Sequence, residues 1–451
     1  MTFDVAVRGA TVISASERRN ATVCIADGRV ASVVEDDGAD IDAVTVVDGT
    51  GLWLLPGMVD THVHLMDPGP TDREDFPTGT RAAAARGVTT IVEHTHARPV
   101  RSAAELTEKR LHLAGRANVD YGLAAHVWPD DIERLADTWR AGVAFFKIFT
   151  CTTHGVPALD AARLRGAFDA IARFGGATLV HCEDEELTAS AERALRAAGR
   201  DDFGIVIEWR NRQAEAVAVA VAAALALETG VRATIAHVSS PEIVSIIGAA
   251  RAAGADVAAE ACPQYLVLRE AEVLTEGPMR KFTPPARARS DDEEEAMWGA
   301  LRRGDLTHVS TDHAPSTRRQ KLAGSIWEAP FGLPGLDTTL PILLDAAIRG
   351  RIPPEVIVRA YAEMPARRYG LHPRKGSLME GADGDFVLVD PAGSWIVTDA
   401  EVLSKAGWSP YSGRALRGAH VATYLRGVMV AENGAPLDER TGRFLPGPGA
   451  R

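Results

Sequence analysis

The 451-residue chain has 61 acidic and 49 basic side chains, a formal net charge of −12, and 46% hydrophobic residues. This composition is typical of a globular protein with a large core and excludes disorder as the main state. The chain has no basic surplus of the kind that binds nucleic acid, so we expect no nucleic-acid partner. Its four cysteines lie far apart, which excludes a CxxC metal site and a disulfide framework.

The N-terminal segment lacks a basic stretch followed by an apolar one, so no secretory signal is expected. The most apolar helical run, residues 214–227, is too short and too rich in alanine to span a membrane. We therefore expect a cytoplasmic protein without a membrane partner.

The first fifty or so residues alternate in short β-type runs separated by turn residues, which predicts a hairpin-rich sheet. The C-terminal segment repeats this pattern. Neither end is long enough to bury a core alone, so the two ends are predicted to pair into one small β-sandwich domain. The predicted boundaries are 1–54 for its N-terminal part, 55–380 for the middle domain, and 381–451 for its C-terminal part and tail.

Between the two ends, short apolar runs alternate with alanine-rich helical stretches, a pattern typical of a parallel sheet covered by helices. The runs are 58–65, 88–95, 121–128, 145–150, 177–184, 232–239, 255–263 and 307–315. Eight strand–helix units predict an α/β fold with a (β/α)₈ TIM-type barrel. The active site of such a barrel lies at the C-terminal ends of its strands.

Several of these predicted strands carry a polar residue of metal-ligand type near the C-terminal end. They are His62 and His64 in the first strand, Lys147 in the fourth, His181 in the fifth, His237 in the sixth and Asp312 in the eighth. A single histidine on a strand is more often a hydrogen-bonded core residue than a ligand. A buried, unpaired lysine is costly, however, and the joint pattern favours a metal site at the barrel mouth.

The segments VDTHVHLMDPG, FFKIF, VHCEDE, AHVSS, EACPQYL and STDHAPS follow one another in this order. The set resembles the cyclic-amidohydrolase branch of the amidohydrolase superfamily, which contains allantoinases, hydantoinases or dihydropyrimidinases, and dihydroorotases. The resemblance covers nearly the whole chain and is closest to allantoinases.

The resemblance implies two divalent metal ions per chain, usually zinc, bridged by an N-carboxylated Lys147. It implies one metal site completed by His62, His64 and Asp312, and a second completed by His181 and His237. Asp312 is then also the catalytic proton shuttle. The implied reaction opens the amide bond of a small cyclic substrate, and the implied assembly is a homo-oligomer, either a dimer or a tetramer.

Departures from the subfamily patterns bear on the substrate. Dihydroorotases have an arginine at Met66, a histidine at Ser316 and an asparagine at His96, and hydantoinases have a tyrosine at Thr152. Two other stretches resemble allantoinases, although HTHARP at 94–99 departs from them. We expect an allantoinase-like enzyme acting on a cyclic ureide or imide. A hydantoinase or dihydropyrimidinase is the alternative, a dihydroorotase is less favoured, and an inactive scaffold is the non-enzyme reading.

Further candidate substrate contacts lie in the loops that follow the strands. They are His94, His96, Thr152, His154, Ser316 and Gly335. His94 and His96 either contact the substrate or pack against the loop after the first strand. The backbone near Gly335 either lines the pocket floor or forms a plain Gly/Pro turn.

Overall fold

The computed structural model describes residues 2–35, 41–438 and 440–450. The N-terminal strands are β1 (Phe3–Ile13), β2 (Arg18–Ala26), β3 (Arg29–Glu35), β4 (Ala43–Asp48) and β5 (Trp53–Pro56). Strands β1, β2 and β3 pair antiparallel in that order, and β4 and β5 run parallel to successive parts of β1. The hairpin-rich sheet expected at this end of the chain is present.

The middle of the chain forms a closed barrel of parallel strands. They are β6 (Met58–Val63), β7 (Val88–Glu93), β8 (Asp120–Leu123), β9 (Ala125–His126), β10 (Phe146–Phe149), β11 (Ala177–His181), β12 (Arg232–Ile235), β13 (Val257–Ala261) and β14 (His308–Val309). Strands β8 and β9 are two parts of the third barrel strand, because β8 pairs with β7 and β9 with β10. The ring closes where the backbone N–H of His64 donates to the carbonyl of His313 at 2.8 Å. The predicted (β/α)₈ barrel is therefore confirmed.

Helices follow the barrel strands and cover the sheet. They are α1 (Phe76–Ala85), α2 (Ala103–Leu113), α3 (Leu135–Ala141), α4 (Ala161–Arg173), α5 (Glu185–Ala197), α6 (Ile205–Trp209), α7 (Arg212–Thr229), α8 (Pro241–Ala252), α9 (Pro263–Val267), α10 (Glu270–Glu276), α11 (Asp291–Arg303), α12 (Arg318–Lys321), α13 (Thr339–Ile348), α14 (Pro354–Val358) and α15 (Met364–Arg368). Side-chain caps explain several of the starts: Asp75, Asp160 and Ser290 accept first-turn N–H groups of α1, α4 and α11. Within the described ranges, none of the helices has the length and apolar character needed to cross a membrane.

The C-terminal strands are β15 (Phe386–Ile396), β16 (Ala415–Leu425), β17 (Val428–Glu432) and β18 (Ala435–Pro436). Strand β15 pairs antiparallel with β5, so both ends of the chain share one sheet. Their common core contains Val23 from one end and the stacked rings of Phe386 and Tyr424 from the other. The expected β-rich domain is built from both ends, and the exact domain boundaries stay a prediction.

After β18 the chain returns to the N-terminal ends of the barrel strands. The backbone N–H of Leu445 donates to the carbonyl of Tyr121 at 2.7 Å, and that of Gly447 donates to the carbonyl of Gly142 at 2.8 Å. This tail packs at the end of the barrel opposite to the mouth, so it does not cover the C-terminal strand ends.

Candidate metal centre

His62, His64 and Asp312 come together at the barrel mouth. The Nδ1–H of His64 donates to the backbone carbonyl of His94 at 2.9 Å. The Nδ1–H of His62 donates to Glu260 Oε1 at 2.7 Å, and this same oxygen accepts a backbone N–H at 3.1 Å. Each histidine therefore keeps a lone pair on Nε2, and both Nε2 atoms face Asp312 Oδ1, at 3.1 and 3.5 Å. Three acceptor atoms converge with no proton to share, an arrangement that a bound cation satisfies.

His181 and His237 form a second convergent pair beside the first group. The Nε2–H of His181 donates to the carboxylate of Glu183 at 2.8 Å, which leaves a lone pair on Nδ1. This Nδ1 lies 2.8 Å from Nε2 of His237. Burial lowers the pKa of both imidazoles, which favours the neutral form that can ligate a metal.

Lys147 lies next to His62 in the wall of the barrel. Its side chain is buried, and its Nζ is 3.3 Å from His62 Nε2. Burial lowers the pKa of Lys147, although the nearby Glu260 and Asp312 carboxyl groups favour the ammonium form. The site thus makes a neutral amine more accessible than it is in water.

Backbone strain is present at two of these positions. His237 has a φ of 37° and Asp312 a φ of 50°, in the left-handed region that residues other than glycine rarely adopt. Both lie just past the end of a barrel strand, where the strain turns the side chain towards the mouth. Strain of this kind is concentrated at functional sites.

Two carboxyl groups that the sequence did not single out accept hydrogen bonds from the histidines: Glu260 from His62 and Glu183 from His181. Glu260 lies within β13 as the one acidic residue of the run VAAEA, and burial raises its pKa. Burial would also raise the pKa of Glu183, but Arg210, His181 and the hydroxyl of Thr283 outweigh it and lower that pKa to about 2. Glu260 could have been found from the sequence, because it is a single acidic residue in an apolar strand. Burying a carboxylate without a partner is costly, so such a residue is expected to have one.

A small cavity of about 30 Å³ lies at this centre. Apart from the six converging residues, its walls consist of His96, Phe149, His154, Phe282, Thr283, Ala314, Phe331 and Gly332. The rings of His96 and His154 are stacked at 4.7 Å with an interplanar angle of 9°. Of the histidines expected to contact substrate, these two lie at the cavity. The ring of His94 lies behind it, against the rings of His62 and His64.

The other expected contacts lie outside the cavity wall. Thr152 is exposed and faces a neighbouring groove, where its Oγ1 accepts the N–H of Ala158. Ser316 is buried, and its carbonyl accepts the Nε1–H of Trp408 at 2.8 Å. The N–H of Gly335 donates to a ring nitrogen of His313, and Gly335 does not line the cavity. Within residues 332–336, the cavity is lined by Gly332.

Comparison with known proteins places the chain in a family. The model of the amidohydrolase family matches residues 53–428, which is most of the chain. The chain belongs to the amidohydrolase family. It is 36% identical to an allantoinase of Rubrobacter xylanophilus over 451 residues, covering 98% of this chain and 97% of that protein. It is 31% identical to an L-hydantoinase of Paenarthrobacter aurescens, covering 98% of each.

Solved structures agree with this assignment. The L-hydantoinase (dihydropyrimidinase) from Arthrobacter aurescens superposes with a TM-score of 0.94 at 31% identity, covering 99% of this chain and 100% of that one. A D-hydantoinase structure superposes with a TM-score of 0.91 at 28% identity, covering 98% of each chain. The cyclic-amidohydrolase branch inferred from the sequence is confirmed, with allantoinases and hydantoinases as the relatives.

Proposed function

We propose that this amidohydrolase opens the amide bond of a cyclic ureide or imide with the help of two zinc ions. The observation that carries the proposal is the convergence of His62 Nε2, His64 Nε2 and Asp312 Oδ1 without a proton between them. The second pair, His181 Nδ1 and His237 Nε2, supports a second ion beside the first. Neutral imidazoles and a carboxylate are donors that suit zinc.

Lys147 fits as the bridging group after it has reacted with carbon dioxide. Its lowered pKa favours the free amine, whose nitrogen forms a bond to the carbon of carbon dioxide and releases one proton. The product is a carbamate with one negative charge and two oxygens. The carbamate would form on Nζ, which lies 3.3 Å from His62 Nε2, and its oxygens would add ligands to those of the histidines and Asp312.

Bound zinc supplies two effects, since it lowers the pKa of water towards neutrality and polarises an amide carbonyl. Asp312 is the group placed to move the proton, because its side chain is 15% exposed while both histidines of its group are buried. It accepts the proton of the attacking water and passes it to the ring nitrogen as the C–N bond breaks. The carbonyl carbon keeps the water oxygen and becomes a carboxylate.

Two relatives suggest the substrate, an allantoinase and an L-hydantoinase. We favour an allantoinase-like reaction, with hydantoinase activity as the alternative. Dihydroorotate is disfavoured, because Met66 is buried and its sulfur accepts the hydroxyl of Thr95, so no cation stands there to hold a carboxylate. Buried polar recognition of this kind is worth several orders of magnitude in discrimination.

The test combines metal analysis with a hydrolysis screen. The purified protein should contain two zinc ions per chain and should hydrolyse allantoin or a hydantoin faster than dihydroorotate. The double variant His62→Ala, His64→Ala should lose metal and activity, whereas His112→Ala, a partly exposed histidine on α2, should keep both. Active protein without metal would refute the metal-dependent hydrolase. Metal without any ring opening would instead favour the inactive scaffold.

A further inference from the structure

A second cavity lies where the barrel meets the β-domain, away from the metal centre. Its volume is about 470 Å³, and it shares no lining residue with the metal-centre cavity in the described part of the chain. Helix α13 contributes one wall, and strands β15 and β16 contribute another. The lining residues are Arg86, Leu340, Pro341, Leu344, Val389, Ser394, Trp395, Glu401, Leu403, Gly418, Ala419, His420, Asn433, Gly434, Ala435 and Pro436.

Arg86 is the only cation in this lining, and it is 8% exposed. It stands at the C-terminal end of α1, and its Nη1 donates to the carbonyl of Gly434 at 3.3 Å. Its Nε has no hydrogen-bond partner among the described residues. The guanidinium lies over the ring of Trp395, at 4.4 Å from the ring centroid, so this contact uses its face and not its edge.

The other buried arginines of the described chain have an acidic partner. Arg210 Nη1 lies 3.2 Å from a carboxylate oxygen of Glu183, and Arg287 Nε lies 3.8 Å from one of Glu215. Arg86 has no carboxylate oxygen within 4 Å among the described residues. Asp337 and Glu401 act on its charge only without a direct ion pair. A buried guanidinium without a direct ion pair is costly, and a bound anion would reduce that cost.

The two acidic residues that act on the charge of Arg86 also have other hydrogen-bond partners. Buried Asp337 accepts the backbone N–H groups of Leu403 and Ser404, at 2.8 and 3.4 Å. Exposed Glu401 accepts the indole N–H of Trp395 at 3.2 Å and a hydroxyl at 2.7 Å. Both carboxylates stabilise their own loop, and neither pairs with the guanidinium.

We propose that this cavity is a binding site for a small monocarboxylate with a flat apolar body. The carboxylate would pair with the guanidinium of Arg86, which favours carboxylate partners. The body would lie between Trp395 and the apolar side chains of Leu340 and Leu344 on α13. Because these walls belong to both the barrel and the β-domain, the ligand would also stabilise their contact.

Benzoate is the probe, and benzamide is its neutral control of the same shape. Titration calorimetry on the purified protein should show benzoate binding with a Kd of about 1 mM or tighter. Benzamide should bind at least tenfold more weakly, because it lacks the charge that pairs with Arg86. Benzoate should also raise the melting temperature.

Variants locate the site and separate it from the metal centre. Arg86→Met should weaken benzoate binding at least tenfold, whereas Arg81→Met, an exposed position on the same helix, should not. If Arg86→Met does not fold, Ser394→Glu tests whether benzoate binds in this cavity. It places a negative charge at an exposed lining position and should weaken benzoate binding, and Ser394→Gln is its neutral control. Benzoate that binds Ser394→Glu as tightly as Ser394→Gln would overturn the proposal, as would absence of binding to the unmodified protein.

Discussion

At the mouth of the barrel, single hydrogen bonds determine which nitrogen of each histidine is free. His64 is fixed by a backbone carbonyl, His62 by Glu260 and His181 by Glu183, so each presents one defined lone pair to the centre. Acceptors of this kind set both the tautomer and the ring orientation of metal-ligating histidines. These contacts therefore orient the three rings towards the centre.

Substitutions of Lys147 test the carbamate proposal most directly. Lys147→Ala should lower metal occupancy and reduce activity by at least about 10²-fold, because the bridge between the ions is lost. Acetate or propionate should restore part of the activity by entering the space left behind. Lys147→Arg should stay inactive, since a guanidinium remains protonated and forms no carbamate. Full activity of the alanine variant without added acid would make Lys147 a plain core residue.

Lys321 is a buried residue that positions two walls of the metal-centre cavity. Its Nζ donates to the carbonyls of Lys281 and Pro330, both at 2.8 Å, and of Gly332 at 3.0 Å. Gly332 lines the cavity, and Lys281 directly precedes two further lining residues. One ammonium group thus ties together the segments on either side of the opening.

Lys321→Met should raise KM about tenfold while metal content stays unchanged, since three carbonyls lose their donor and the walls separate. The neighbouring exposed Arg319→Met is the matched control and should leave KM unchanged. Steady-state kinetics with metal analysis makes the measurement. A fall in kcat alone, with KM preserved, would mean that Lys321 contributes only to stability.

At the level of elements, the sequence predicted the secondary structure where burial determines the order of apolar and polar residues. The apolar runs predicted the barrel strands, and the single polar residues at their ends come together at the barrel mouth, while their role as metal ligands stays a prediction. Loop residues were harder to place. Thr152 and Ser316 were expected at the site because relatives use those positions, but their local hydrogen bonds hold them outside the cavity. Glu260 was missed because its role depends on a contact with His62, about two hundred residues away.

Helix α7 shows an apolar stripe on its exposed side. Val217, Val221 and Leu227 are 43%, 37% and 43% exposed, and exposed alanines lie between them at helical spacing. A stripe of this kind is typical of an interaction surface, and we propose that it forms a contact in the homo-oligomer that the family resemblance implies.

Val221→Glu should therefore lower the molar mass of the assembly in solution, because a charge in an apolar interface is costly. Gln213→Glu adds the same charge at an exposed polar position of the same helix and should leave the mass unchanged. Light scattering coupled to size exclusion separates the two results. If Val221→Glu keeps the mass of the unmodified protein, the contact between subunits lies elsewhere.

At the scale of the whole molecule, one buried ammonium joins the barrel to the β-domain. Lys375 Nζ lies 2.6 Å from a carboxylate oxygen of Asp120, 2.7 Å from Asp385 and 2.9 Å from Asp383. Asp120 begins the third barrel strand, whereas the other two directly precede β15. These carboxylates are close enough to one another to hold an ion, but the ammonium group occupies the position between them.

Removing that ammonium leaves buried Asp385 without its ion-pair partner, whereas Asp120 keeps Arg426 and Asp383 keeps Arg374. Lys375→Met should lower the free energy of unfolding by roughly 3–5 kcal/mol, the cost of breaking a buried ion pair. Arg374→Met is the matched control: its ion pair with Asp383 is 41% exposed on the arginine side and should cost about 0–1 kcal/mol. Denaturant unfolding gives both values.

The activity of the folded fraction should be unchanged in both variants, because the cluster lies at the N-terminal end of the barrel strands, opposite to the metal centre. A stability loss in Lys375→Met no larger than that in Arg374→Met would show that the contact between the two domains does not depend on Lys375.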